Sequence, residues 1–321
     1  MLSVDWEPDH GKWERPDGKI TYRGILEGTP VLQEVLDRVG IPFTWFLETS
    51  QEPDRNTPTL FPDLVRGICA RQSDEVGLHI HWRRLPDGDS AVYETNDAAW
   101  VQDQIEYGVR QFLPFGIKPR SFRSGALLHI KNLPKLLSKN AFVVDSSTLW
   151  DRSQRLNQDK STLKRRTFVQ RLMHLVKQMS GPLPRPYCAD WFDVEKVGNS
   201  QIVEFPISGH ALDLAYPLDR IRKRVLIRKA GRAYGTQFVA LFFHIDELMH
   251  VHVPGGDQPG KGGLVTSRFG EFIERLKKRS DVSFATFSQA RAIYQEGLSG
   301  RQSLSPQVGS CLSRHGHNDR T

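Results

Sequence analysis

The chain is poor in cysteine, with only Cys69, Cys188 and Cys311 in 321 residues. They are far apart and odd in number, which excludes a disulfide framework and a CxxC metal site. No apolar run reaches membrane-spanning length, and the opening Met1-Leu2-Ser3-Val4-Asp5 lacks the basic and apolar regions of a secretory leader. A cytoplasmic protein without a transmembrane segment is therefore expected. No internal repeat is apparent. Acidic residues are outnumbered, 37 against 44 basic ones, giving a net charge of +7. Such an excess would suit a polyanionic partner. However, Arg222-Lys223-Arg224 and Lys277-Lys278-Arg279 fall within expected helices and carry no interleaved aromatic platform. Nucleic acid is not expected as a partner.

The composition, 38% hydrophobic and 25% charged, is that of an ordinary globular protein. Strand-like and helix-like segments alternate along most of it. Leu2 to Trp6, Pro42 to Leu47, the run ending at His79, Arg120 to Arg123, Phe142 to Asp145, Gln201 to Pro206, Phe238 to His244 and Val282 to Phe287 read as strands. Between them, helices are expected at about 30–39, where Thr29 would be the N-cap, Pro30 the first helical residue and Gly40 the stop. Further helices are expected at 60–70, 97–113, 133–137, 218–233, 266–278 and 288–295. This alternation implies a parallel sheet with helical crossovers, open or closed into a barrel. One domain over residues 1–296 is expected, interrupted at about 151–185 by a polar, basic segment. Within that segment Phe168, Leu172, Leu175, Val176 and Met179 recur at helical spacing. Residues 297–321 read as a disordered tail.

Five segments set a polar residue at the end of an expected strand, the end where α/β sheets gather functional groups. Asp5 and Glu7 are two apart, and so are His79 and His81, so each pair shares a face. Arg123, Asp145 and His244 close three further strands. Imidazoles with a carboxylate suit zinc or a similar divalent ion. One of Asp5 and Glu7 could ligate it while the other abstracts a proton from water. Arg123 could orient that base, His244 could protonate a leaving amine, and Asp145 could equally cap the turn at Ser146-Ser147. Together these parts describe metal-assisted hydrolysis of an acyl or amide bond.

In order along the chain, the segments resemble the polysaccharide deacetylase superfamily, the NodB-homology or carbohydrate esterase family 4 group. Ser3-Val4-Asp5-Trp6-Glu7 is similar to its first motif. Gly40-Ile41-Pro42-Phe43-Thr44-Trp45-Phe46 resembles its second strand, and Glu75-Val76-Gly77-Leu78-His79 its metal-binding motif. Pro119-Arg120-Ser121-Phe122-Arg123-Ser124-Gly125 resembles the arginine motif, and Asn140-Ala141-Phe142-Val143-Val144-Asp145-Ser146-Ser147 the strand after it. Ile202-Val203-Glu204-Phe205-Pro206 and Phe242-Phe243-His244 complete the series.

The resemblance, over about residues 2–292, implies a distorted (β/α) barrel of about seven parallel strands. It implies removal of N-acyl groups from a sugar in surface polysaccharide or lipopolysaccharide biosynthesis, with a divalent metal, zinc or similar, as cofactor. Asp5 is then the catalytic base, Arg123 its orienting partner and His244 the acid. His79 is a metal ligand, joined by His81 and Glu7 because Trp6 and Arg83 stand where the family places its other two ligands. The backbone near Ala126 would stabilise the oxyanion, and Trp6, Gly125, Ala126, Asp145 and Trp150 would line the substrate. The partner is a glycan or small molecule. The alternatives are a non-sugar amidase on the same barrel and a degenerate member that binds glycan or protein.

Overall fold

The computed structural model describes residues 1–9, 20–84, 92–93, 96–149, 185–212, 217–233, 235–251, 258–259 and 262–303. The expected insertion, almost all of it, and the end of the tail lie outside these residues, as does Trp150.

The strands are β1 (Leu2–Trp6), β2 (Thr44–Glu48), β3 (Glu75–Ile80), β4 (Ser121–Ser124), β5 (Val144–Asp145), β6 (Tyr187–Cys188), β7 (Val203–Glu204), β8 (Ile207–His210) and β9 (Ala240–His244). They form one nine-stranded sheet in the order β8-β9-β1-β2-β3-β4-β5-β7-β6. All neighbours are parallel except β6 and β7. The sheet curls into a half-barrel, and a parallel bridge from Leu149 to Ile207 draws the β8 edge toward the chain leaving β5. The expected barrel is therefore present, with one more parallel strand than the expected seven. The extra strand, β8, follows Pro206 directly. Proline ends a strand by removing its donor, but here the chain restarts with a register shift at Ile207–Gly209.

The helices α1 (Thr29–Val39), α2 (Pro62–Ala70), α3 (Ala98–Gln111), α4 (Leu133–Lys139), α5 (Pro217–Arg232), α6 (Gly262–Lys277) and α7 (Phe287–Ser303) follow the expected order. Among the described residues, no helix is long and apolar enough to cross a membrane. Gly40 ends α1 at φ 59°, the left-handed cap that favours glycine. Thr29 is not its N-cap. A π-helical turn, Gly24–Gly28, runs straight into α1, and the Thr29 hydroxyl instead accepts the Trp6 indole N–H at 2.7 Å. Residues 282–286 form no strand. They carry no regular structure and lead into α7, which starts at Phe287 and continues past the expected tail boundary to Ser303.

Two apolar layers result from strand alternation. The outer one, between sheet and helices, contains Val4, Trp6, Leu47, Leu78, Phe122 and Phe243. The inner one fills the barrel with Phe46, Val144, Val203, Phe205 and Phe287. α7 supplies Phe287 and Ala290 to this interior, so it plugs the end of the barrel where the strands begin. Its start is fixed by Glu75 at the head of β3, which accepts the Ser288 N–H (2.9 Å) and hydroxyl (2.6 Å).

Candidate active site

At the opposite end, the carboxyl ends of β1, β3, β4 and β9 bring the polar landmarks together. Register sets Asp5 beside His244 on β9 and His79 beside Arg123 on β4. Arg123 is fully buried, and its guanidinium is held on every edge. It donates to Asp5 Oδ1 at 2.6 Å, to Ser3 Oγ at 3.0 Å and to the Ser146 carbonyl at 3.1 Å, and it lies 4.2 Å over the Phe46 ring. A charge so deep is tolerable only when paired and hydrogen-bonded, and Asp5 is the pair.

Glu7 faces both histidines. Its Oε2 lies 3.2 Å from His79 Nε2 and 2.6 Å from His81 Nε2. His79 Nδ1 donates to the Arg123 carbonyl at 3.0 Å, so in the neutral ring Nε2 carries the lone pair. A buried lone pair aimed at a buried carboxylate needs a positive species between them, either a proton or a metal ion. Burial opposes a charge on His79, but Asp5, Glu7 and Glu48 outweigh it and raise its pKa. The same field favours a divalent cation. With the backbone carbonyl orienting His79 from behind, the donor set fits zinc or a similar ion. The ligand atoms of Glu7, His79 and His81 lie within 4.8 Å of one another, as do those of Asp5, Glu7 and His244.

His244 stands across from the histidine pair. Its Nε2 is 3.4 Å from Glu7 Oε1 and 4.0 Å from Asp5 Oδ2. Its far side meets Glu247, three residues on in the turn Ile245–Leu248. Glu247 accepts the His244 backbone N–H at 2.8 Å, approaches Nδ1 at 3.6 Å and touches His210 Nε2 at 2.8 Å. Burial works against the charge on both groups. Even so, the pairing carries the His244 pKa well above its ordinary value, and His210 and His244 hold Glu247 well below the usual carboxylate range.

Three residues were not singled out in the sequence. His210 ends a strand concealed behind Pro206, and Glu247 belongs to a turn, where strand alternation gives no guidance. Glu48 ends β2, registered with His79. A charge after an apolar run was its available signal.

The expected substrate-lining residues fare unevenly. Trp6 is a correction. It sits between Asp5 and Glu7 and so faces outward, fully buried, its indole bonded to Thr29. Asp145 is also a correction. It registers with outward-facing Phe122 and is fully buried, accepting from the Ser147 hydroxyl. It braces the β4–β5 ends, since Ser147 Oγ in turn accepts the Ser124 N–H at 2.8 Å. Gly125 lies at the site, but its role is spatial: a Cβ there would come within 2.5 Å of the His81 ring. Ala126 is exposed just beyond, in a left-handed conformation at φ 52°.

No family model matches the chain, and no curated protein matches its sequence. Solved structures match its fold. One, from Mycobacterium smegmatis, is classed as a polysaccharide deacetylase. The match covers 89% of this chain and 82% of that one at 18% identity, with a TM-score of 0.55. The Puue allantoinase matches over 92% of this chain and 89% of its own, at 13% identity and TM-score 0.54. A 4-alpha-glucanotransferase from Thermococcus litoralis matches over 91% of this chain but 40% of its own, at 12% identity and TM-score 0.50. At these identities the shared property is the barrel.

Proposed function

We propose that the chain is a metal-dependent amide hydrolase that removes an N-acyl group from a sugar, in surface polysaccharide or lipopolysaccharide assembly. The observation that carries this reading is the opposition of two proton-handling groups at one end of the barrel. Asp5 is pinned by Arg123, and His244 is backed by Glu247, with His244 Nε2 4.0 Å from Asp5 Oδ2. The names of two fold relatives, a deacetylase and an allantoinase, are consistent with it.

His79, His81 and Glu7 would hold the ion. When bound, a divalent cation polarises a carbonyl and acidifies water. Asp5, with Oδ1 committed to Arg123, uses Oδ2 to take the proton of the attacking water. An amide anion is a very poor leaving group, so the departing nitrogen must be protonated, and His244 Nε2–H delivers that proton. The backbone N–H at Ala126 is the oxyanion donor in this reading.

The test is acetate release from N-acetylated sugars across pH. His244→Ala and Asp5→Asn should each lower the rate by about 10²- to 10⁴-fold, and His244→Ala should keep its metal. Full activity in His244→Ala would sink the acid–base assignment. Turnover of allantoin without any N-acetyl sugar would shift the reading to a non-sugar amidase. A purified protein that takes up no metal would indicate a binding member of the fold.

A further inference from the structure

The positive charge of the chain is gathered on one helix. Seven basic residues stand against one acid, Asp219, in α5, so this helix holds six of the seven charges in the net +7. Its inward face is packed. Lys223 is buried, donating to the Ala211 carbonyl at 2.8 Å with its ammonium 3.9 Å over the Phe272 ring, and Leu226 is buried as well. The outward face carries Arg224, Arg228 and Arg232, all exposed. They recur at i, i+4 and i+8, which sets three guanidiniums in a row about 12 Å long on the helix surface.

A solvated helix face normally alternates its charges, and other helices of this chain do so. Exposed Arg66 pairs with Asp63 at 2.6 Å on α2, and Arg275 with Glu271 at 3.4 Å on α6. Among the described residues, Arg224, Arg228 and Arg232 meet no carboxylate. Like charges four apart repel and destabilise a helix, so the row is relieved by a negative counter-surface. Two features narrow what that surface is. The row carries no aromatic side chain, so single-stranded nucleic acid finds no stacking platform. Leu226 is turned inward and Ile227 lines the cavity beneath the helix, so the contact is electrostatic, without an apolar face to insert. What remains is an extended array of phosphates.

We infer that α5 is a docking face for a bilayer bearing anionic phospholipids, with Arg224, Arg228 and Arg232 against the headgroup phosphates. The helix packs beside β8, whose last residue, His210, touches Glu247 at the candidate site. From that end it runs back along the barrel wall toward the start of β9, the parallel neighbour of β8. A membrane lying against α5 leaves the mouth open at its edge, within reach of a glycan anchored in that membrane. The choice of a bilayer over another polyanion rests on the surface-glycan reading. The charge row itself does not, so binding is what is measured.

The full chain is sedimented with phosphatidylcholine vesicles, with and without phosphatidylglycerol, at rising salt. Wild type should bind only the vesicles containing phosphatidylglycerol and be released as salt screens the contact. Arg224→Gln/Arg228→Gln/Arg232→Gln should weaken that binding at least tenfold, with melting temperature and metal content unchanged. Arg66→Gln/Arg110→Gln/Lys139→Gln removes the same charge from exposed positions on three other helices and should change binding less than twofold. Unchanged binding in the first variant, or equal losses in the two, would overturn the docking face, as would a wild type with no preference for the anionic vesicles. Duplex DNA bound more tightly than vesicles, through the same three arginines, would make the partner a nucleic acid and also overturn it. Vesicle binding without hydrolysis of any N-acetyl sugar would sustain the docking face while removing the sugar-amidase reading.

Discussion

Replacing one hydrogen of Gly125 by a methyl group would set a carbon 2.5 Å from the His81 ring. The ring is a metal-ligand candidate wedged against β4, so it must swing out. Gly125→Ala is expected to lower zinc affinity by about 10- to 100-fold, the range typical of changes just outside a ligand shell. Titration against a competing chelator measures this, with His79→Ala as the reference for full loss. Unaltered affinity would remove His81 from the ligand set.

Glu247 offers a second test at the same scale. Its carboxyl is held below the ordinary 4.5, so the stability it adds is present above that pH and lost as pH falls through the folded value. His244 is raised above the ordinary 6.5, so its share is full below 6.5 and lost as pH rises through the folded value. In metal-stripped protein, the melting-temperature deficit of Glu247→Gln should peak between about pH 4.5 and 6.5 and shrink on both sides. A deficit independent of pH would mean the contact is not ionic. Residue identity was most legible where alternation is strict. The pairs Asp5/Glu7 and His79/His81 share their faces as expected, and the same alternation sends Trp6 and Asp145 outward. His210 and Glu247 depend on a bulge and a turn, which no two-residue period encodes.

At the scale of elements, α7 shows where local pattern and tertiary context part. Val282 and Phe284 alternate as a strand would, and both pack against the outer core, but no ladder forms along them. Regular structure resumes only where the Glu75 carboxylate meets the Ser288 N–H. An anion at a helix start satisfies free donors and complements the dipole. Glu75→Ala is therefore expected to cost about 1 kcal/mol of stability, measured by urea denaturation, while metal affinity stays unchanged because the two ends of the barrel are separate. A loss of metal affinity would show that the plug and the mouth are coupled. The other boundaries of helix and strand were legible to within a few residues. The exceptions are the π-helical turn before α1 and the restart after Pro206, where a breaker residue is followed at once by a further element.

For the whole molecule, the β-α rhythm was enough to specify a parallel barrel, because crossover helices and parallel strands imply each other. Neither the nine-stranded count nor the antiparallel β6 edge was legible, since β6 is a two-residue strand and β8 restarts directly behind Pro206. The filling of the barrel has a consequence for traffic. With Phe46 and Phe287 against Arg123 and Phe205 packed on Phe287, the barrel is filled beneath the candidate site, and on the proposed function whatever enters must leave through the same mouth. A polymer cannot be drawn through such a cup. On the proposed function it could only dip a pendant acyl group into it while its backbone lay across the rim.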